Sequence, residues 1–195
     1  FFLNCVEVEM EPERFEIIFA SSKAKKLRLD PEPAKRILGL EPRIEKKLDF
    51  GDGQLYLLHP PAIFPTNFIK NESLHQTIYA SQAKRIVKSI SKAAHQLGFN
   101  NPIVINAFNP LLGQHTLGKF NEKAHFYYCY DEISQANWTK HHGGEAERKF
   151  MQMVDGAFFT SKALLESKKH LNSNYHLVEN GVDFDLFNKA WSPKN

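Results

Sequence analysis

Cysteine is scarce in this sequence: Cys5 and Cys129 are the only two among 195 residues. A small secreted scaffold held by a disulfide framework is therefore excluded. Both cysteines lie inside apolar runs, where a buried reduced thiol is the ordinary state. A single Cys5–Cys129 bridge is the alternative. Long hydrophobic runs are also missing, and no stretch approaches the roughly 20 residues needed to span a bilayer. The opening Phe1-Phe2-Leu3-Asn4-Cys5-Val6 has no basic flank and soon meets Glu7 and Glu9, so it is not a secretory signal. These absences fit a cytoplasmic location. Repeats and low-complexity segments are lacking. The net charge of +3 is spread along the chain. That balance does not call for a nucleic-acid partner, but it tolerates an anionic substrate or a membrane surface. An initiating Met is lacking too, and the chain opens in mid-strand pattern, so a piece of a longer protein is expected.

What is present is an ordinary globular composition, 42% hydrophobic and 24% charged. Sixteen Phe supply large apolar units for a core. The densest apolar stretch, Ala124-His125-Phe126-Tyr127-Tyr128-Cys129-Tyr130, ends abruptly at Asp131 and Glu132. Such a run reads as a strand covered on both faces. In open α/β sheets, ligands bind at the C-terminal ends of such strands. The competing reading is a core strand followed by a capping acid.

Two strands are expected early, over residues 1–8 and 13–20. Residues 21–49 turn basic and are broken by Pro31, Pro33 and Pro42. They read as irregular, with a short helix at 33–39. Gly51-Asp52-Gly53 is a turn. Gln54 to His59 is a strand stopped by Pro60-Pro61, and an apolar loop follows. Ser73 with Gln76 has the spacing of a capping box and predicts a helix from 74 to 97. Its apolar stripe is Ile78, Ile86, Ile90, Ala94 and Leu97, and Gly98 is its stop. Lys84, Arg85, Lys88 and Lys92 read as a solvated helix face, with a membrane surface as the second reading. Then come a strand at 102–108, a short helix at 111–119, the strand at 124–130 and a polar irregular stretch at 133–142. A helix is expected at 144–154, with Ala146, Phe150 and Met153 or Val154 inward. It is followed by a strand at 157–160, a Ser161-capped helix to about 171 and a last strand at 175–179. The alternation from residue 54 onward predicts an α/β fold, a doubly wound and mostly parallel sheet with right-handed crossovers.

The most specific stretch runs from Met153-Val154-Asp155-Gly156-Ala157-Phe158-Phe159-Thr160-Ser161-Lys162-Ala163-Leu164 to Leu177-Val178-Glu179-Asn180-Gly181-Val182-Asp183-Phe184-Asp185-Leu186-Phe187. It resembles the end of the N-terminal domain of GT-B glycosyltransferases of the family-4 or group-1 type. Glu147, Asp155, Ser161, Leu164, Asn180, Gly181, Val182, Asp183 and Phe187 match that pattern in order and spacing. The strand ending in Asp131 is similar to that of relatives that make cell-surface polysaccharides. The resemblance covers about residues 125–188. The Gly-rich loop usual after the first strand of that domain is absent, since Gly51 and Gly53 are turn glycines.

The resemblance implies a Rossmann-like domain, the N-terminal half of a GT-B fold, over residues 1–188. Residues 189–195 would start the linker to a C-terminal domain holding the nucleotide sugar. It implies transfer of a sugar from a nucleotide-sugar donor to a carbohydrate or lipid-linked acceptor, with that donor as substrate and no cofactor, and no activity for this stretch alone. Peripheral attachment to a membrane would suit lipid-linked acceptors. Asp131 is the candidate catalytic base, because an acceptor hydroxyl needs a proton acceptor within hydrogen-bond reach. Asn109, Glu132 and Gln135 are candidate acceptor-binding groups, and Trp138 a candidate stacking platform for a sugar ring. Asn180 and Gly181 would form the interdomain hinge. For each residue a loop or capping role is the competing reading. His141-His142 beside Gly143-Gly144 invites a metal, but adjacent histidines diverge and no metal site is expected. The second function class is a non-catalytic Rossmann-like module that binds a sugar or a protein. Its cleft would be plugged by residues 60–70, with Asp131 held in a local network.

Overall fold

The computed structural model describes residues 4–10, 14–20, 43–50, 53–61, 63–136, 139 and 141–181. Their centre is one eight-stranded sheet of order β3-β4-β2-β1-β5-β6-β7-β8. The strands are β1 Asn4–Met10, β2 Arg14–Ala20, β3 Arg43–Phe50, β4 Gly53–His59, β5 Ile103–Ala107, β6 Ala124–Cys129, β7 Gly156–Phe159 and β8 Tyr175–Leu177. Strands β5 to β8 are mutually parallel and follow one another in sequence. The other half is mixed: β2 and β4 run with them, while β1 and β3 run against their neighbours. The α/β class stands, with a parallel sheet over the second half. Residues 43–50, expected to be irregular, form β3, because pairing with β4 overrides a basic, weakly periodic sequence.

Four helices complete the described fold: α1 Glu72–Gln96, α2 Pro110–Thr116, α3 Gly143–Met151 and α4 Lys162–Lys168. Each follows a strand whose C-terminal end lies on one edge of the sheet, so each begins there. All four pack on the same face. Val104 is paired in register with His125, Asn106 with Tyr127, Tyr127 with Ala157 and Cys129 with Phe159. That row meets α1 and α2 at one end and α3 and α4 at the other. The helices on both faces expected of a doubly wound sheet are not met among the described residues.

Two apolar clusters result. Leu58 and Val104 pack with Tyr79, Ala83, Ile86, Ile90 and Ala93 of α1. Tyr127, Cys129, Ala157 and Phe159 pack with Phe150, Met151 and Val154. Each large side chain so buried contributes ~1.5–3 kcal/mol. The sheet is bound to α3 through Phe150, whose ring meets His125 and Tyr127 edge-on.

Several local expectations are corrected. The N-cap of α1 is Asn71, whose side chain accepts from the Leu74 amide at 2.9 Å, not Ser73. Gln76 donates to Glu72 instead of closing a capping box. The buried stripe of α1 starts at His75 and Tyr79, and Ile78 faces outward. Of Met153 and Val154 it is Val154 that turns inward, joined by Met151, while Met153 is exposed. Other stops hold: Gly98 ends α1 at φ +77°, and Ser161 caps α4 through the Leu164 amide. Cys129 is a free, buried thiol. No described helix is long and apolar enough to cross a membrane.

Candidate functional site

The described surface is indented where the first turns of α1 and α3 converge over α2. The cleft is lined by Glu72, His75, Gln76, Tyr79, Leu111, Gln114, His115, His142, Glu145, Ala146 and Lys149. It encloses about 450 Å³, solvent at its mouth included. Its position follows from the topology, because α1 and α3 both start at the C-terminal edge of the sheet.

A histidine ladder forms one wall. His142 precedes the first turn of α3, and its ring stacks on His75 of α1 at 3.7 Å and 15°. His75 lies 5.7 Å from Tyr79, and Tyr79 lies 5.9 Å from His115 of α2. His142 Nδ1 is 2.6 Å from Glu72 Oε2, and its Nε2 is 2.8 Å from the Ile69 carbonyl. Both neighbours are acceptors, so the ring is held at each of its nitrogens. The contact ties α1, the loop before it and α3 together. Against a burial cost, hydrogen bonds from Gln76 and His142 hold the Glu72 carboxyl below its usual range.

His75 is 2% exposed and its Nδ1 has no hydrogen-bond partner. Burial, then the neighbouring His142 charge, push its pKa down. His115 is lowered likewise by burial and by Lys119 and Lys84. Both imidazoles are thus neutral near neutral pH, each able to accept a proton. Burial raises the Tyr79 phenol, with a hydrogen bond to Asn109 opposing it. On the outer rim Glu145 is held at about 2 by Arg148 and Lys149. The cleft therefore offers neutral imidazoles, a phenol, two amides, carboxylates and a lysine around an aromatic wall. Such a set can hydrogen-bond a polyhydroxylated ligand and stack on its apolar faces.

The residues singled out in the sequence lie elsewhere. Asp131 is exposed just past the C-terminal end of β6, and its Oδ1 accepts the Glu132 amide at 2.8 Å. Glu132 caps the 3-10 turn Ile133–Gln135 and accepts from the Ser134 amide and hydroxyl. It also lies 3.1 Å from Lys168 Nζ. Asn109 caps α2 through the Leu112 amide and is buried. Gln135 is exposed in the 3-10 turn. Trp138 lies outside the described residues. The Tyr128 hydroxyl donates to Asn180 Oδ1 at 3.2 Å, and Gly181 is exposed beside it. None of the described ones lines the cleft. Of the pair weighed for a metal, His141 is exposed and His142 is held as above. Among the described residues, no group of His, Cys, Asp and Glu is arranged for a metal ion.

Among the described residues that carry the resemblance, Glu147 and Asp155 hold elements of the scaffold together. Glu147 is buried and accepts from the Tyr127 hydroxyl at 2.8 Å and from Lys168 Nζ at 2.6 Å. Asp155 accepts the His125 amide at 2.7 Å and gives its own amide to the His125 carbonyl. It so clips the start of β7 to β6. Val182, Asp183 and Phe187 lie outside the described residues.

Comparison with protein families, with curated proteins and with solved structures yields no significant match. The sequence missed the cleft because its members come from three separated segments. His75, Gln76 and Tyr79 were placed on a helix, but nothing local marked them as facing Gln114, His115 and His142. The one available signal was polar, ring-bearing residues where an apolar stripe should begin.

Proposed function

We propose that this chain is the acceptor-side domain of a glycosyltransferase of GT-B type. It would take a sugar from a nucleotide-sugar donor held by a second domain and pass it to a glycan or lipid-linked acceptor. The observation that carries the reading is the cleft at the C-terminal edge of the sheet, which is open and lined by hydroxyl-recognising side chains around a ring ladder. Open α/β sheets bind ligands at that edge. The motif running from Glu147 to Asn180 supports it by resemblance. Acceptor hydroxyls would be held by Gln76, Gln114 and Glu72, above the packed rings of His75 and Tyr79. The candidate to take the hydroxyl proton within the lining is His115, with its lowered pKa; Asp131, outside the lining, is the base that the resemblance implies.

The test has two arms. The chain is titrated with mono- and oligosaccharides while its histidine side-chain NMR signals are followed. Movement of His75 and His115 signals is expected, and unmoved signals across the panel count against the cleft. The natural full-length protein is incubated with a panel of nucleotide sugars and these acceptors. Acceptor-dependent release of nucleotide is expected, and none from any donor refutes the enzyme. Asp131→Asn and His115→Asn then decide the base, since the true one costs ~10²–10⁴-fold in kcat.

A further inference from the structure

The outer side of α1 carries an apolar patch continuous with a cationic stripe. Phe64 is 68% exposed, Phe68 72%, Leu74 52% and Ile78 37%. All four belong to the loop 63–71 and the first turns of the helix that follows it. Leu74, Ile78 and Gln82 form one i, i+4 row along α1, and the Gln82 side chain bonds both the amide and the carbonyl of Phe64. From Phe64 the loop returns through the turn at Thr66–Ile69 to the helix start. Phe68 stands in that turn, on the chain between Phe64 and Leu74. Single exposed apolar residues need no explanation, but a contiguous aromatic and aliphatic patch marks an interaction site.

Further along the same outward face stand Arg85, Lys88 and Lys92, with Lys84 beside them and Lys70 in the loop. From Gly53 to Asn101 these five are all the Lys and Arg, and Glu72 is the only acid. Glu72 is turned to the cleft and bonded to His142. Among the described residues no carboxylate lies within ion-pair reach of Lys70, Lys84, Arg85, Lys88 or Lys92. Four cations in nine helix positions, unneutralised, are unusual for a merely solvated face, where both signs intersperse.

We propose that this face docks on an anionic lipid bilayer. Phe64, Phe68, Leu74 and Ile78 enter the boundary between headgroups and acyl chains, and Lys70, Lys84, Arg85, Lys88 and Lys92 meet lipid phosphates. An interfacial helix has this division, with large apolar groups on one part of its outer surface and cations on the rest. A protein groove would suit the apolar part but would leave the cations without a matching field. Glu72, His75, Gln76 and Tyr79 line the cleft from the same turns of α1 that carry Leu74 and Ile78. They point away from Leu74 and Ile78, so docking would leave the cleft about one helix diameter, about 10–12 Å, from the headgroups. The proposal stands on the patch and is independent of the sugar-transfer reading.

The test is co-sedimentation of the chain with vesicles of phosphatidylglycerol and phosphatidylcholine in equal parts, against vesicles of phosphatidylcholine alone. Binding to the anionic vesicles only, weakening with salt, is expected. Lys88→Ser with Lys92→Ser should lower the partition constant about 25-fold, fivefold per cation. Phe64→Ser with Phe68→Ser should lower it at least about tenfold. All four positions are exposed, so the thermal melts of the variants should match the parent. Lack of binding to either vesicle overturns the proposal, as does equal binding to both, or variants that bind like the parent. A dimer that Phe64→Ser with Phe68→Ser disperses also overturns it, assigning the patch to a second copy.

Discussion

Removing Lys168 while keeping Glu147 is the sharpest test of what holds the second half of the sheet. Lys168 Nζ lies 2.6 Å from Glu147 Oε2 and 3.1 Å from Glu132 Oε2. Lys168 and Glu147 are 6% and 4% exposed. Burial alone would push the Lys168 ammonium down, but the carboxylates of Glu147 and Glu132 offset it and hold its pKa above the usual value. Lys168→Met keeps the stem and deletes the charge. Glu147 is then left as a buried carboxylate with the Tyr127 hydroxyl, at 2.8 Å, as its principal donor. Breaking a buried pair from one side costs ~3–5 kcal/mol. In a chain of this size that lowers Tm by roughly 6–20 °C. Glu132→Gln, at the half-exposed end, should cost at most ~1 kcal/mol.

Replacing the whole unit behaves differently. Glu147→Met with Lys168→Met and Tyr127→Phe removes the buried pair and its phenol at once, leaving only the weakly donating Cys129 thiol and the half-exposed Glu132, and apolar replacements of such units are neutral or stabilising by ~1–4 kcal/mol. Urea titration of the three variants measures this gradient directly. The Lys168 contribution is complete below the ordinary lysine pKa and is lost only as pH rises through its higher folded value. The Lys168→Met penalty should therefore stay constant from about pH 6 to about pH 9. A cost below ~1 kcal/mol, or one that disappears in about 1 M salt as for a surface pair, refutes the reasoning.

Three further outcomes follow from the same structure. His75, His115 and His125 all have pKa values lowered first by burial, so the unfolded chain binds protons before the folded one. Stability should fall as pH drops below about 6.5, by up to ~1.4 kcal/mol per pH unit per histidine, and thermal melts should show a shallower acid limb for His75→Asn. A Cβ on Gly113 would sit 2.5 Å from the Phe150 ring, where α2 crosses α3. Gly113→Ala should cost ~1–3 kcal/mol by overpacking, while Gly144→Ala, with open space around it, should not destabilise. The Cys129 thiol is buried and pushed up to about 12 by burial and by Glu147. In a Cys5→Ser variant it should react with a thiol reagent only as fast as the protein opens, accelerating with urea.

Much of the fold was legible because the relevant signals were local. Apolar runs such as Ile103 to Ala107 and Ala124 to Cys129, each closed by a polar cap, gave the parallel strands. Gly98 and Ser161 marked helix ends by chemistry that needs no tertiary context. The misses are non-local. Strand β3 exists through pairing along β4, and no property of residues 43–50 alone announces it. The inward face of α1 was misjudged because a 25-residue helix changes neighbours along its length. Its C-terminal half meets the sheet with Ile86, Ile90 and Ala93, whereas its first turns meet α3 and use His75. Asp131 was placed at a strand end as expected, but the cleft formed where side chains from α1, α2 and α3 converge, which only the packing decides.

The motif and the cleft divide the labour of this chain in a way that substitution can expose. Glu147, Asp155, Ser161 and Asn180 each make a specific hydrogen bond that positions β6, β7, β8 or α4. A sequence pattern of that kind specifies a scaffold, and chemistry has to come from residues outside it. Two opposite signatures are expected. Ser161→Ala removes the α4 cap and should cost ~1 kcal/mol, leaving saccharide affinity per folded molecule unchanged. His75→Asn and Gln114→Ala should weaken that affinity, with Gln114→Ala also costing about 1 kcal/mol through its lost bond to the Ala146 carbonyl. Calorimetric titration of folded protein beside urea melts of the same variants separates the two. If Ser161→Ala abolished binding while Gln114→Ala did not, the site would belong to the motif, and the cleft would be a packing seam between helices.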